Sequence, residues 1–325
     1  MRLNSTQPTP KRVLVTGVTG LVGSHVARCF VERGFEVIGT CRRTLRRDNR
    51  LAGVRYELIG DIGPDTRWDE VLQAVDVVVH AAAHAHVMSP TSLDQAAYQR
   101  VNVAGTKVLA AAARRAGVGR LVFVSSIKVN GEATPREPFR ATDEPSPKDA
   151  FGRCKLAGEQ VVRRELPDTQ WSIVRPPLVY GTGMRGNFAR MAHLVSTGLP
   201  LPFATVQNRR SLIGVENLAD LIVLLSTHPA AVGKVWLAAD GEGVSTPELV
   251  RVIAGEIGLA ARLWPCPSVL LRAIGAMVGR GAEMRRLTES LYLDIEPTVR
   301  ELSWTPGVSF HEGLARALEG YRVSV

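Results

Sequence analysis

Short apolar runs rich in valine recur through the first half of the chain, at Val13–Thr16, Glu36–Thr40, Arg55–Ile59, Asp76–His80, Leu121–Ser125 and Trp171–Arg175. Between them lie stretches with the spacing of amphipathic helices, Val22–Arg33, Trp68–Ala74, Leu93–Ala116 and Lys155–Glu165. Runs this short and this apolar suit strands buried on both faces, and their alternation with helices implies right-handed crossovers within a parallel sheet. The pattern predicts an α/β fold with a Rossmann-type doubly wound parallel sheet. After Arg175 the rhythm breaks at Pro176-Pro177, Gly181, Gly183, Gly186 and the segment Gly198 to Pro202. Helical spacing then returns over Asn217–Ser226, Thr246–Ile257 and Val269–Gly279, which predicts a smaller, mostly helical C-terminal lobe.

The first apolar run leads through Thr16-Gly17-Val18-Thr19-Gly20-Leu21-Val22-Gly23 into the first helical stretch. A strand, a glycine loop and a helix in that order form a dinucleotide-binding start. Gly17 permits the tight turn, Gly20 lets the backbone approach a pyrophosphate at the helix N-terminus, and Gly23 lets helix and strand pack closely. The spacing is G-x-x-G-x-x-G. The expected organisation is therefore a flexible N-terminus over residues 1–10, a dinucleotide-binding domain over 11–180 and a substrate-binding lobe over 181–325, with some elements of the last segment returning to the first domain. The second strand ends in Gly39-Thr40-Cys41-Arg42-Arg43 without the acidic residue that would hydrogen-bond the ribose hydroxyls of NAD. Arg42 and Arg43 there favour the 2′-phosphate of NADP, a solvated loop being their alternative role, and NAD is the alternative cofactor.

Charge and composition narrow the function further. Forty basic against 31 acidic residues give a net charge of +9, suited to nucleic acid, an acidic membrane or a small polyanion. The basic residues come in short pairs without aromatic interleaving, which argues against a stacking surface for single strands, and no nucleic-acid partner is expected. The four cysteines, Cys29, Cys41, Cys154 and Cys266, are widely spaced and indicate neither a zinc site nor a disulfide framework, as in a reducing cytoplasm. No apolar run reaches the roughly 18 residues of a membrane helix, and a soluble cytoplasmic protein is expected. The longest candidate, Pro267 to Gly279, contains Arg272 and precedes the basic run Arg280 to Arg286, and reads as a core helix with a solvated end rather than a membrane-surface helix. His80, His84 and His86 lie close together, but no carboxylate or cysteine joins them in a ligand set, so no metal is expected.

Several further motifs carry a resemblance: Gly60-Asp61-Ile62, His80-Ala81-Ala82-Ala83, the run Val101 to Thr106, Ser125-Ser126-Ile127-Lys128-Val129-Asn130-Gly131, Phe151-Gly152-Arg153-Cys154-Lys155 and Arg175 to Gly181. With the glycine loop, they make nearly the full chain resemble the extended short-chain dehydrogenase/reductases, the NAD-dependent epimerase/dehydratase family. The run Arg210 to Ala219 is similar to the nucleotide-sugar branch, and more narrowly to 4-keto reductases and 4-epimerases of UDP-N-acetyl-6-deoxyhexosamines for surface polysaccharides. The resemblance implies a homodimer, formed through Leu93–Ala116 and Lys155–Glu165, with a UDP-sugar as substrate. It implies cofactor contacts from Gly17, Gly20, Leu21, Val22, Gly23, Thr40, Arg42, Arg43, Asp61, Ile62, Ala81, Ala82, Ala83, Ser125, Lys155 and Pro177, with Asn102 supporting the active-site backbone. Substrate contacts are implied for His86, Ser126, Lys128, Asn187, Phe203 and Arg210, the last toward the diphosphate.

The chemistry of that family uses a Tyr-x-x-x-Lys pair, in which one helical turn puts phenol and ammonium on one face and the cation eases loss of the phenolic proton. Here Phe151 stands at the tyrosine position, with Ser126 and Lys155 in register as the other catalytic residues. Three explanations compete: a deliberate replacement that preserves packing and traps substrate, a natural one with another donor recruited, or a protein that binds without catalysing. Lys128 and Cys154 are the candidate substitute donors, Lys128 if its segment continues as a strand beyond Ser126. A small buried packing residue is the alternative reading of Cys154. The expected activity is NADP(H)-dependent reduction of a UDP-linked 4-keto sugar. The alternatives are 4-epimerisation with tightly held NAD and a non-catalytic dinucleotide sensor or partner protein.

Overall fold

The computed structural model describes residues 12–85, 92–134, 136–168, 170–184, 186–241 and 243–321. Its main sheet contains β1 (Arg12–Thr16), β2 (Glu36–Cys41), β3 (Val54–Leu58), β4 (Val77–His80), β5 (Arg120–Val124), β6 (Trp171–Arg175) and β9 (Lys234–Leu237), in the order β3-β2-β1-β4-β5-β6-β9. The β1 pairings are parallel in both directions, Val13 facing Val37 on one side and Val77 on the other. Strand order therefore reverses between β1 and β4, the kind of switch point beside which open α/β sheets leave a crevice for ligands. Val13, Leu14, Val15 and Thr16 are all buried, which is why this strand reads as an uninterrupted apolar run. β7 (Leu178–Tyr180) and β8 (Leu212–Gly214) form a separate parallel pair.

The helices are α1 (Leu21–Glu32), α2 (Ser92–Ala97), α3 (Thr106–Arg115), α4 (Ala150–Glu165), α5 (Asn187–Ser196), α6 (Val215–Thr227), α7 (Thr246–Glu256), α8 (Ser268–Met277), α9 (Gly281–Thr288), α10 (Glu296–Leu302) and α11 (Phe310–Leu318). The chain divides into two compact units. One holds the residues up to Val124 with Ala157–Ile173 and Ala219–Lys234; the other holds Ser125–Leu156, Val174–Leu218 and Val235 onward. In the second unit, Tyr180 donates to Asp240 at 2.6 Å, and Asp240 also accepts from the Gly214 amide at 2.8 Å and Asn217 at 2.7 Å. Burial pushes the Asp240 carboxyl up despite these donors, and it pushes the Tyr180 phenol up as well.

Four local expectations need correction. Residues Trp68–Ala74 form turns, not a helix: Trp68 and Leu72 are buried anchors, and Ala74, at φ 55°, turns the chain away. The predicted helix Leu93–Ala116 is broken into α2, a π-helical stretch Tyr98–Gly105 and α3, because Asn102 is held by the main chain of another loop. The fourth predicted helix starts five residues early, at Ala150, because Asp149 accepts from the Gly152 amide at 2.7 Å and caps it. The apolar face of α8 is largely exposed, so it is not a core helix; the sequence shows which residues are apolar but not which become covered.

Candidate active site

The first unit builds a glycine cradle at the start of α1 from backbone close approaches. Gly17 has φ 71°, and a Cβ there would lie 2.8 Å from the Ala82 backbone, so the loops after β1 and β4 touch through the missing side chain. A Cβ on Gly23 would stand 2.2 Å from the Gly17 carbonyl oxygen, so only glycine lets α1 enter so close to the turn. Gly20 is exposed and begins α1 without a side-chain cap, and Leu21 and Val22 are half-buried in the first turn. The first-turn amides thus have no side-chain oxygen at their cap, and a pyrophosphate fits where such donors converge.

A neutral hydrogen-bond chain braces the loop after β4. Thr106 donates to the Asn102 carbonyl at 2.8 Å, so its contact with His80 Nε2 at 3.0 Å is an N–H donation from the ring. His80 Nδ1 then accepts from Thr16 at 2.7 Å, and Thr16 accepts from the Ala82 amide at 3.1 Å. Asn102 accepts from the His84 amide at 2.8 Å and donates to the His84 carbonyl at 3.0 Å, clamping the loop that carries Ala81, Ala82 and Ala83. His84 itself contacts Asp94 at 3.3 Å. At the end of β2, Thr40 is buried, while Arg42 lies 3.6 Å from Asp61 with both side chains about three-quarters exposed. Arg43 is exposed and Ile62 is buried against Gly105.

In the second unit, the Ser125 amide donates to Val174 O at 2.8 Å and continues the sheet ladder for one residue. The chain then turns: the Ser126 hydroxyl accepts from the Lys128 amide at 3.3 Å, and Ile127–Val129 form a single 3₁₀ turn. Lys128 therefore does not share a strand face with Ser126, because that hydroxyl stops the strand. Its ammonium instead pairs with Asp149 and lies 3.3 Å from Glu132. Burial would raise the Asp149 carboxyl, but the hydrogen bonds from Lys128 and the Gly152 amide outweigh it and hold that carboxyl below its ordinary range.

Phe151 has two ammonium groups beside its ring. The Nζ atoms of Lys128 and Lys155 each lie 6.0 Å from its ring centre, close enough for attraction to the π face. Lys155 is buried and one helical turn from Phe151, the geometry the family pair requires, with the phenolic oxygen absent. Cys154 is buried and its thiol donates to the Phe151 carbonyl at 3.0 Å, the arrangement of a packing residue.

Beside this cluster the second unit holds an open cavity of about 440 Å³, lined among others by Asn130, Glu132, Lys148, Arg285, Arg286 and Glu289. Arg210 donates to the Glu289 carbonyl at 3.0 Å, and burial together with the Arg286 charge brings its guanidinium down to about 10. Two arginines whose charges oppose each other in partial burial make a place where an anion is favoured. Asp149, Glu132, Arg286 and Glu289 were not anticipated as site residues. The Asp149-x-x-Gly152 cap pattern was legible; Arg286 was concealed in a basic run that reads as a solvated helix end. Phe203 and Pro177 are buried. Asn187 begins α5, its side chain lying outside the described residues, as does His86.

The chain is similar to known proteins over most of its length. The model of the NAD dependent epimerase/dehydratase family matches residues 13–239. A UDP-glucose 4-epimerase of Vibrio cholerae is 38% identical over 320 residues, covering 96% of this chain and 96% of that protein. Among solved structures, the Thermus thermophilus UDP-glucose 4-epimerase in complex with NAD has a TM-score of 0.75 at 26% identity, over 97% of this chain and 100% of that one. MoeE5 in complex with UDP-glucose and NAD has a TM-score of 0.74 at 25% identity, over 95% and 97%.

Proposed function

This chain belongs to the NAD dependent epimerase/dehydratase family, and we propose that it is a nucleotide-sugar oxidoreductase, reducing the 4-keto group of a UDP-linked N-acetyl-6-deoxyhexosamine with NADP(H). The carrying observation is Phe151 at the start of α4, one turn from buried Lys155 and flanked by Lys128, next in sequence order to the Ser126 turn. When bound, the dinucleotide supplies the hydride. Ser126 orients the sugar oxygen with its hydroxyl, and Lys155 holds positive charge where oxygen gains negative charge during reduction. Arg210 and Arg286 neutralise the diphosphate. With no phenol at residue 151, Lys128 serves as proton donor, reaching from the turn after Ser126 and not from a shared strand face, its ammonium 6.0 Å from the Phe151 ring centre and kept in place by Asp149 and Glu132. The absence of an acid after β2 supports NADP, with Arg43 as the leading contact since Arg42 faces Asp61.

The Vibrio cholerae relative favours a second reading, 4-epimerisation, in which NAD stays bound and is regenerated. The two separate cleanly: reduction consumes NADPH in proportion to product, whereas epimerisation interconverts UDP-glucose and UDP-galactose with no net change in cofactor absorbance. A dinucleotide-binding protein without catalysis would bind cofactor and turn over nothing, even after Phe151→Tyr. We further take the protein to be a cytoplasmic homodimer serving surface-polysaccharide synthesis; a light-scattering mass of one chain would contradict the dimer.

A further inference from the structure

Helix α8 carries its apolar face outward. Val269, Met277 and Val278 are 70%, 86% and 63% exposed, and Leu270, Ile274 and Trp264 are each about half-exposed. Residues 269, 270, 273, 274, 277 and 278 repeat at the spacing that makes one stripe along a helix. The opposite face closes on α9, where a Cβ at Gly275 would meet Met284 at 2.3 Å, so the stripe is not the face that α9 covers. Five large apolar side chains along one stripe, with exposed Trp264 four residues before the helix, are more than the scattered exposure normal for a soluble surface.

The segment that carries the stripe is net positive. From Ile257 to Ala282 the sequence has no acidic residue and three arginines, Arg262, Arg272 and Arg280. The next acid, Glu283, lies 3.5 Å from Arg190 and 4.0 Å from Arg280. An isologous contact with a second copy would bring these arginines toward their own images with Glu283, already beside Arg190 and Arg280, as the one neighbouring acid in the segment, whereas an anionic surface meets the net positive charge favourably. Among the described residues no helix is long and apolar enough to cross a membrane, and α8, with 10 residues, is about 15 Å long. An apolar stripe with a basic border on a short helix is the pattern of a segment lying in the plane of a lipid interface.

We propose that α8 and Trp264 form a docking surface for an anionic phospholipid bilayer, with the apolar stripe inserted at the headgroup level and Arg262, Arg272 and Arg280 against the lipid phosphates. None of these residues lines the cavity or belongs to the Phe151 cluster, so docking leaves the chemical site intact. The test is flotation of the full chain with vesicles of phosphatidylcholine alone and of phosphatidylcholine with about 30% phosphatidylglycerol. The wild-type chain should float with the anionic vesicles, remain behind with the neutral ones, and be released by high salt. Ile274→Glu with Met277→Glu should weaken anionic-vesicle binding by about tenfold or more, with melting temperature and NADPH binding unchanged. Arg272→Gln with Arg280→Gln, which keeps the stripe, should also reduce it. Failure of the wild-type chain to float, equal binding to neutral vesicles, or vesicle binding unaltered by both double variants would overturn the proposal. So would a light-scattering dimer that the Glu variant converts to monomer, since a second copy would then cover the stripe.

Discussion

The two units solve different problems with different materials. The glycine cradle of the first unit is made of backbone brought close at Gly17 and Gly23, braced by the hydrogen-bonded sequence Thr16, His80, Thr106 and Asn102. The site of the second unit is made of charged side chains, with Lys128 between Asp149 and Glu132 and with Arg210 facing the field of Arg286. Backbone close approach tolerates no added atom, so the glycine cradle is brittle to substitution. A charged cluster accommodates new shapes, but its energy depends on which protons and counter-ions are present. The cradle is thus specified by steric exclusion and the charged site by electrostatics.

Substitutions should expose that difference in descending order of effect. Gly23→Val would press a side chain into the Gly17 carbonyl and cost about 3 kcal/mol of local stability; dinucleotide binding followed by fluorescence should disappear. Lys128→Met should lower reductase turnover by about a hundredfold while cofactor affinity stays level; equal turnover in the variant would remove Lys128 as donor. Asn102→Leu leaves the His84 amide and carbonyl without their side-chain partner and should cost about 2 kcal/mol in denaturant unfolding, with weaker cofactor binding.

The smallest effects are in pH. His228 in the first unit is held below its ordinary 6.5 by burial and by Arg120, so the unfolded chain binds the proton more readily; stability should fall as pH drops through about 6.5, and His228→Gln should remove that slope. Asp149 is held below 3.8, so its contribution is present above that value and is lost only as pH falls through its lower folded value. In Lys128→Met the Asp149 loss should move to higher pH while the His228 slope remains. Melting curves from about pH 3 to about pH 7 would read both, and an unmoved acid limb would show that Lys128 does not stabilise the Asp149 carboxylate.

The same contrast explains what could be read in advance. The strands and the glycine loop were legible because their causes are local: apolar runs such as Val13–Val15 and Val77–Val79 fill the buried middle of the sheet, and Gly17, Gly20 and Gly23 lie within seven residues. The charged site was only partly legible, because Glu132, Arg210 and Arg286 come together from separate segments and nothing in their own neighbourhoods marks the meeting. Asn102 shows the limit for helices: its side chain, satisfied by the His84 main chain, accompanies a π-helical interruption that apolar spacing alone does not signal. Helix α8 shows the limit for cores, since Met277 and Val278 are as apolar as any buried residue and yet face outward.

The central claim is that the Phe151 cluster is an oxidoreductase site lacking one oxygen. The direct measurement is NADPH consumption with a UDP-4-keto-6-deoxy-N-acetylhexosamine, comparing the wild-type chain with Phe151→Tyr at equal concentration. The account predicts slow turnover in the wild type and a gain of about a hundredfold in the variant, the range of a restored general acid. Binding of cofactor by both proteins with turnover by neither would contradict it.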